Sequence, residues 1–599
     1  MAVGNIRAVT QIDKLFNEKK YSEAIILAEE TLLKLKNRRA RLALYYLLGL
    51  SYKKLKDDLR AEEYFRKGLN VRRDRRFYES LLEIHEDARD IKKLETLLQD
   101  AIKHHPSDYD LLNDFARAFI NCDSDDKALY YFIELKKWGL ITSLAREMAF
   151  WDSIEETDEL FVSDFRAGKF DYSPVLAFTS IQIPAFTQEE LGHLVKKSAE
   201  IGYGFGLDQP ALVEGFDRKV PMQKKGPLKI GYLSSDFFTH ATMLLLSRVL
   251  ELHDSTEFEI HLFILNSYED RDSIYGKRIE EMNVKRHRIS HLSIHEKAKL
   301  IKDENIHILV DLKGYTKNSG TAVSALRPAP IVVNWLGFPN TFGVERLADY
   351  IITDPIVTPI EHAPFFSETL AYMPHCYQPN DNSILFEADI TRDMVGLPED
   401  KIVYCSFNQI AKLHPRQFDY WCRVLRDVPD SVLWLLKPDH LLTCKNILLE
   451  AEKRGIHAKR IIFAPKVEML THRLRLSLAD IAFDSFPCTS HTTASDLMAA
   501  CVPLIAQIGH TFPSRVSASV VTANNCSQLV AHNIEEAYSL AYALGTNKDL
   551  LRAVKAEMKK NLKTAPLYNS ELFTKNLESL YKTMWEQYQR GKKEIITLN

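Results

Sequence analysis

The chain has no Cys-x-x-Cys pair, and its eight cysteines are scattered between Cys122 and Cys526 of 599 residues. That spacing excludes a zinc knuckle or a thioredoxin-like redox site and fits reduced thiols in a cytosolic protein. No apolar run is long enough to span a bilayer. The opening MAVGNIRAVTQIDKLF lacks the continuous apolar core of a secretion signal, so a cytoplasmic protein is expected. Charge of either sign is in short excess: 78 Lys and Arg face 81 Asp and Glu, a formal net charge of −3. A balance this even leaves no electrostatic footprint for nucleic acid or an anionic membrane. The one basic cluster, Arg72, Arg73, Arg75 and Arg76, reads as a solvated helix end. Several motifs are also absent: G-x-G-x-x-G after the first strand, the P-loop, H-E-x-x-H, and a D-x-D pair at a strand end. A dinucleotide dehydrogenase, a P-loop ATPase and a zinc peptidase are therefore disfavoured, and metal-free chemistry is expected.

What is present divides along the chain. The length calls for about three or four domains. In YYLLGLSYKKLKDDLRAEEYFRKGL, residues 45–69, the positions of Gly49, Tyr52, Ala61 and Phe65 match a tetratricopeptide helix-turn-helix of about 34 residues. Ala24, Ala61, Leu94 and Ala128 continue the small-residue position at spacings of 37, 33 and 34 residues. Leu94 makes its unit irregular, and Pro106 stops a helix near the end of the third unit. Four such units would stack into a curved solenoid that binds extended peptide or another protein. Residues 141–226 read as a helical connector, with Thr187 as an N-cap.

Beyond the connector, apolar runs alternate with helix-length segments. LKIGYLSSD, FEIHLFILN, IHILVDLKG, PIVVNWLGF and DYIITD form one series; KIVYCSFN, SVLWLLKP, RIIFAP, DIAFDSF and VPLIAQ form a second. Alternation of this kind predicts parallel sheets covered by helices, here two successive Rossmann-like domains of the GT-B arrangement. The expected organisation is tetratricopeptide repeats over 1–140, the connector over 141–226, a first Rossmann-like domain over 227–385 and a second over 386–599 that includes a C-terminal helix. Ligands in such sheets lie beyond the carboxyl ends of the strands.

Four strand-end loops carry the candidate chemistry. SSDFFTHAT offers Asp236, His240 and Thr242, where a carboxylate could orient an imidazole, or simply cap a helix beside a surface histidine. NWLGFPNTFG places Gly337, Pro339, Thr341 and Gly343 in a turn that either approaches a ligand or serves structure alone. CSFNQIAKLHP supplies Asn408, Gln409 and Lys412, the last a point charge for a phosphate oxygen or a solvent-exposed lysine. The fourth loop is DSFPCTSHTTASD, in which His491, Thr492 and Thr493 fall at a helix start and Asp496 can accept from a ribose hydroxyl. A helix start presents unpaired N–H groups and partial positive charge to an anion such as a diphosphate. Upstream, His472 and Arg475 share a helix face, where they could meet a nucleotide base or pack inward.

These strings, with HILVDLKGYTK, ALRPAPIVVNWLGFPNTFG, LAYMPH and SLYKTMWEQY, resemble the catalytic region of the O-linked N-acetylglucosamine transferase family over residues 228–590. A tetratricopeptide N-terminus is also that family's layout. The resemblance implies inverting, metal-independent transfer from UDP-N-acetylglucosamine to Ser or Thr of an acceptor protein, with no other cofactor. It implies roles by position: His240 and Asp236 in proton handling, Lys412 and Gln409 on the diphosphate, His472 and Arg475 on the base. His491, Thr492 and Thr493 match the diphosphate loop, Asp496 the ribose contact, and Gly337 and Pro339 the sugar pocket; Thr242 lies beside them. Met469 replaces a lysine that animal members hold beside the uridine, and the insert between their two halves is missing. Rival donors are GDP-fucose, used by SPINDLY-type proteins that carry histidine where this chain has Tyr315, and UDP-glucose. A rival of another class is a catalytically inactive repeat scaffold. The acceptor's identity and any self-association stay open.

Overall fold

A computed structural model describes residues 2–35, 37–106, 108–122, 124, 127, 138–169, 174–216, 226–267, 273–383 and 390–598. It divides into two units, Met1–Leu144 and Ala145–Asn599.

The first unit is helical. Ala2–Asn17, Tyr21–Lys34, Arg38–Lys54, Asp58–Val71, Arg75–Asp87, Ile91–His104 and Tyr109–Asn121 follow one another in chain order. Five of these starts are set by side chains of one kind: Asn37, Asp57, Asp74, Asp90 and Asp108 each accept a hydrogen bond from an N–H of the next turn. Such caps satisfy donors that the helix itself cannot. The repeat signature has a steric basis. A Cβ on Gly49 would lie 2.3 Å from the Phe65 ring, and one on Gly68 would lie 2.2 Å from Phe77. Ala24, Ala61 and Leu94 are buried, so the larger Leu94 is accommodated inside its pair. Ala128 lies outside the described residues. The basic cluster pairs locally: Arg73 with Asp100 at 3.3 Å, Arg75 with Glu79 at 2.6 Å and Asp108 at 3.0 Å, and Arg76 with Asp74 at 3.0 Å.

The second unit holds two all-parallel sheets. The first contains β1 (Leu228–Ser234), β2 (Phe258–Ile264), β3 (Lys285–Arg288), β4 (Ile308–Asp311), β5 (Ile331–Asn334), β6 (Tyr350–Thr353), β7 (Thr369–Tyr372) and, from the far end of the chain, β14 (Ile596–Thr597). Their spatial order is β14-β7-β6-β5-β4-β1-β2-β3. The second sheet contains β8 (Ile402–Ser406), β9 (Ser431–Leu436), β10 (Ile461–Ala464), β11 (Ile481–Phe483), β12 (Leu504–Gln507) and β13 (Val530–Ala531), in the order β10-β9-β8-β11-β12-β13. The strands read as unbroken apolar runs because helices cover both faces. Each sheet has its own core cluster, one built around Ile230, Val310 and Val333, the other around Val403, Leu433 and Ile505. This is the pair of Rossmann-like lobes that the alternation predicts.

Two segments sit elsewhere than the chain order suggests. The helix Ser570–Gln589 and β14, expected with the second lobe, cross back to the first. Tyr581 and Tyr588 enter the core cluster of the first sheet, Tyr581 Oη lies 3.1 Å from Tyr232 Oη, and Glu578 accepts from Asp254 N at 2.8 Å. The connector packs into the second unit rather than forming a body of its own. Arg146 makes a buried pair with Asp158 at 2.7 Å, and Trp151 lies against Phe418 with ring centroids 4.9 Å apart. The connector helix Gln188–Leu207, capped by Thr187 as expected, touches both lobes. Gln188 Nε2 donates to Asn340 Oδ1 at 2.8 Å, while Gln188 Oε1 accepts from Phe512 N at 2.9 Å. Further ties are Ser519 Oγ to Asp354 Oδ2 at 2.7 Å and Arg515 Nε to the Ile356 carbonyl at 2.6 Å. Ser570 Oγ donates to the Asn380 carbonyl at 2.8 Å, which ties the start of the helix Ser570–Gln589 to the segment after β7.

Gly49→Ala should destabilise the repeats by about 1–3 kcal/mol, the usual penalty for overfilling a packed interior. Phe65 is fully buried and has nowhere to turn. Denaturant titration followed by circular dichroism checks this; an unchanged midpoint would show that the Gly49–Phe65 contact does not limit helix approach.

Candidate active site

The first polar cluster forms where β1 and β4 end. Asp311, at the last position of β4, is buried and accepts from the backbone N–H groups of Lys313 (2.9 Å) and Gly314 (3.1 Å) and from the hydroxyls of Thr321 and Ser324. This carboxylate folds the loop that delivers Lys313. Lys313 Nζ then lies 2.7 Å from Asp236 Oδ2, with both side chains buried. The same oxygen accepts from Thr242 Oγ1 at 3.3 Å and lies 3.5 Å from His240 Nδ1. Asp236 Oδ1 accepts from Ser235 Oγ at 3.0 Å.

His240 caps the helix Ala241–Leu252, and its Nδ1 accepts from Thr242 N at 3.2 Å. Nδ1 also lies 3.1 Å from Thr242 Oγ1. Burial lowers the His240 pKa; Asp236 opposes that shift and Lys313 reinforces it. The structure thus joins three of the expected residues, Asp236, His240 and Thr242, and adds Lys313, which sequence reading did not single out.

The turn after β5 is shaped by close approach. A Cβ on Gly337 would lie 2.0 Å from the Leu312 carbonyl oxygen, and Gly343, at φ +76°, abuts the backbone of Lys196 in the connector helix. Thr341 Oγ1 donates to Glu368, and Pro339 is buried. Tyr315 packs beneath this turn, donating its hydroxyl to the Phe342 carbonyl at 2.7 Å. Thr341 and Gly343 are accounted for by packing, whereas Gly337 keeps partly accessible backbone.

The second cluster lies beyond β8 and β11. Asp484, just past β11, is fully buried and accepts from Ser490 N at 2.8 Å and from Ser517 Oγ. Burial raises its pKa to about 6 against these hydrogen bonds. Asn408 Nδ2 donates to Ser490 Oγ at 2.6 Å, and Lys412 Nζ reaches the Thr489 carbonyl at 3.3 Å. Together they hold the loop that ends at His491, the residue before the helix Thr492–Ala499. His491 provides no side-chain cap to this helix, so the first-turn N–H groups of Thr492 and Thr493 remain available beside Lys412. Gln409 extends from the same loop as Lys412 and is exposed. From the crossing segment of the first lobe, Gln378 Nε2 donates to the His491 carbonyl at 3.3 Å and to Ser495 Oγ at 2.7 Å.

Two expected contacts are arranged differently. Arg475 is 2 % exposed; its Nη1 donates to the Pro465 carbonyl at 2.7 Å and its Nη2 to His472 Nδ1 at 2.8 Å. It stands behind His472 and orients it. His472 rests edge-on against Phe407, and burial and the neighbouring Arg475 lower its pKa to about 4. Asp496 pairs with Arg473 Nε at 2.8 Å inside the protein, and burial raises its pKa to about 6. The sequence did not announce Lys313, Gln378 or Arg473, because each acts on a partner far away in the chain or on another element. Asp484 was legible only as the residue that ends an apolar strand.

Paired Rossmann-like lobes of parallel strands define the fold of a GT-B glycosyltransferase. The chain belongs to glycosyl transferase family 41, whose signature matches residues 214–390 and 388–577. It is similar to the probable UDP-N-acetylglucosamine–peptide N-acetylglucosaminyltransferase SEC of Arabidopsis thaliana, 33% identical over 382 residues that make up 62% of this chain and 39% of that protein. It is 27% identical over 479 residues to the Caenorhabditis elegans UDP-N-acetylglucosamine–peptide N-acetylglucosaminyltransferase, covering 61% of this chain and 41% of that one. The probable transferase SPINDLY of A. thaliana is 30% identical over 382 residues, covering 61% and 40%. The chain therefore spans about two fifths of the length of the curated relatives it matches. A solved Thermobaculum terrenum O-GlcNAc transferase shares the fold, with a TM-score of 0.69 at 20% identity over 93% of this chain and 99% of that one.

Lys313→Met should raise the pKa of His240, because Asp236 would then act on the ring without an opposing ammonium. An NMR titration of the His240 ring reads this directly, and Lys313→Arg should restore the original position. An unchanged or lower pKa would show that Lys313 does not set the charge state of the ring. Loss of the ammonium also leaves Asp236 buried and unpaired, so a stability drop of roughly 3–5 kcal/mol accompanies the shift.

Proposed function

We propose that the chain is an inverting protein glycosyltransferase that moves N-acetylglucosamine from UDP-N-acetylglucosamine to Ser or Thr hydroxyls, without a catalytic metal. The observation that carries this reading is the convergence of Lys412 with the uncapped start of the helix Thr492–Ala499. An ammonium beside fixed N–H dipoles suits a diphosphate leaving group, and such donors act most strongly on charge that develops during reaction. The acceptor hydroxyl attacks the anomeric carbon in line, while Lys412, Thr492 and Thr493 hold the departing nucleotide. Gln409, exposed beside Lys412, contacts the same diphosphate. His472, kept neutral and oriented by Arg475, offers Nε2–H to the base. Asp496 reaches the ribose only by sharing its carboxylate with Arg473.

On the opposite lobe, Asp236 is occupied by Lys313 and Thr242, which makes it a poor proton acceptor. His240, partly exposed at the helix start, suits hydrogen bonding to the sugar or the incoming hydroxyl. The proton then leaves through solvent to a phosphate oxygen of the donor. Gly337, with its partly accessible backbone, lines the sugar side, and the buried Pro339 stiffens the turn that Tyr315 supports. The repeats take the acceptor protein. All eight cysteines are unpaired, which suits a reducing, cytoplasmic setting. Similarity to SPINDLY proteins keeps GDP-fucose as the second reading of the donor.

Incubation with UDP- and GDP-sugars should show UDP-N-acetylglucosamine raising the melting temperature and being turned over, with no effect of GDP-fucose. Stabilisation by GDP-fucose would overturn the donor assignment, and nucleotide release from none of them would support an inactive scaffold. Lys412→Met should lower kcat roughly 100- to 1,000-fold with the melting temperature unchanged; full activity would remove its leaving-group role.

A further inference from the structure

Away from the strand-end loops, the outer edge of the first sheet carries a second polar constellation. His261 in the middle of β2, His287 on the edge strand β3 and Glu304 just after the helix Ile294–Asp303 bring one ligand atom each to within 4.8 Å of one another. His261 Nδ1 lies 3.1 Å from His287 Nε2, and Glu304 Oε2 lies 3.9 Å from His261 Nδ1. The two imidazoles are stacked at 9°, and Phe263 backs His287 with ring centroids 4.8 Å apart. The register of β2 and β3 enforces this, since Phe263 is the direct neighbour of His287 and His261 lies one pleat away on the same face.

We propose that His261, His287 and Glu304 bind a divalent transition-metal ion of the zinc type, in a site separate from the donor crevice. The donor set is the His2Glu combination that leaves a fourth position for water. Two nitrogens 3.1 Å apart subtend an angle of about 100° at an ion with bonds of ~2.05 Å. The surroundings supply what such a site needs beyond its ligands. His261 Nε2 donates to Glu259 Oε1 at 2.8 Å, which leaves the lone pair on Nδ1. A carboxylate behind a ligating imidazole is the usual second layer of a metal centre. On binding, His287 moves its proton from Nε2 to Nδ1, which faces Glu304 Oε1 at 3.9 Å.

The charges nearby are already engaged: Lys285 lies 2.8 Å and Lys229 3.5 Å from Glu259, and Lys229 Nζ donates to the Glu304 carbonyl at 3.0 Å. Glu304's own carboxylate has no closer described partner than the two imidazoles, and at 35% exposure it leaves a path for the ion to enter. The ion would clamp the short edge strand to β2 and to the end of a helix. It takes no part in group transfer, so the proposal stands whether or not the donor assignment does.

The test uses the full chain, dialysed against a chelator and then titrated with Co2+, with Zn2+ as competitor. Wild-type protein should take up one Co2+ per chain, show the visible bands of a low-coordinate nitrogen-ligated ion, and lose them to Zn2+. His287→Ala should weaken uptake at least 100-fold, and Glu304→Gln about tenfold. Glu304 has no short hydrogen bond to lose, so Glu304→Gln remains informative if His287→Ala fails to fold. Absence of the bands in wild type, or their full retention in both variants, overturns the proposal.

Discussion

A buried carboxylate at the end of a parallel strand recurs in the catalytic unit, and three of its strand-end loops are placed by one. Asp311 closes the loop after β4, Asp354 the loop after β6, and Asp484 the loop after β11, each through backbone N–H groups of residues that follow. Burial raises the pKa of all three, that of Asp484 to about 6. A raised folded-state pKa means that the fold is favoured most when the group is protonated. For Asp484 that contribution is complete below the ordinary carboxylate value near 4 and is lost as pH rises through about 6. At neutral pH the ionised Asp484 weakens the protein while fixing where the helix start of Thr492 stands. Precision at the strand ends is obtained at the expense of stability.

The fold was legible wherever a strand is a continuous apolar run, because burial on both faces leaves no polar position to obscure it. Ten of the fourteen described strands announce themselves in this way, and β7, only four residues long, is not among them. β3 does not, since Lys285–Arg288 is a polar edge strand whose basic residues read as helix surface. β13 and β14 are two residues each, below the length at which any pattern forms. The helix Ser570–Gln589 shows an apolar face, but a face names no partner, and only the three-dimensional structure shows Tyr581 against Tyr232. The repeats were readable because Gly49 and Phe65 meet within one helix pair, so their steric requirement is local.

The candidate site followed the same division. His240, Lys412 and the helix start at Thr492 sit on short loops whose position depends on neighbouring residues. Their modifiers come from far off: Lys313 reaches Asp236 across 77 residues, and Gln378 reaches Ser495 across 117. Arg475 shows the hazard of helical spacing, which places it beside His472 correctly but does not say which of the two faces the crevice. Asp496 shows another. An acidic residue one turn into a helix invites a ligand, yet here Arg473 meets it first. The cluster of His261, His287 and Glu304 has no short-range spacing at all, so no motif search would find it.

Gln188, with one end of its amide on each lobe, joins Ser519, Arg515 and Gln378 in bonding the lobes to one another. Lobes that parted would give up these bonds together, and each freed polar atom would need water in its place.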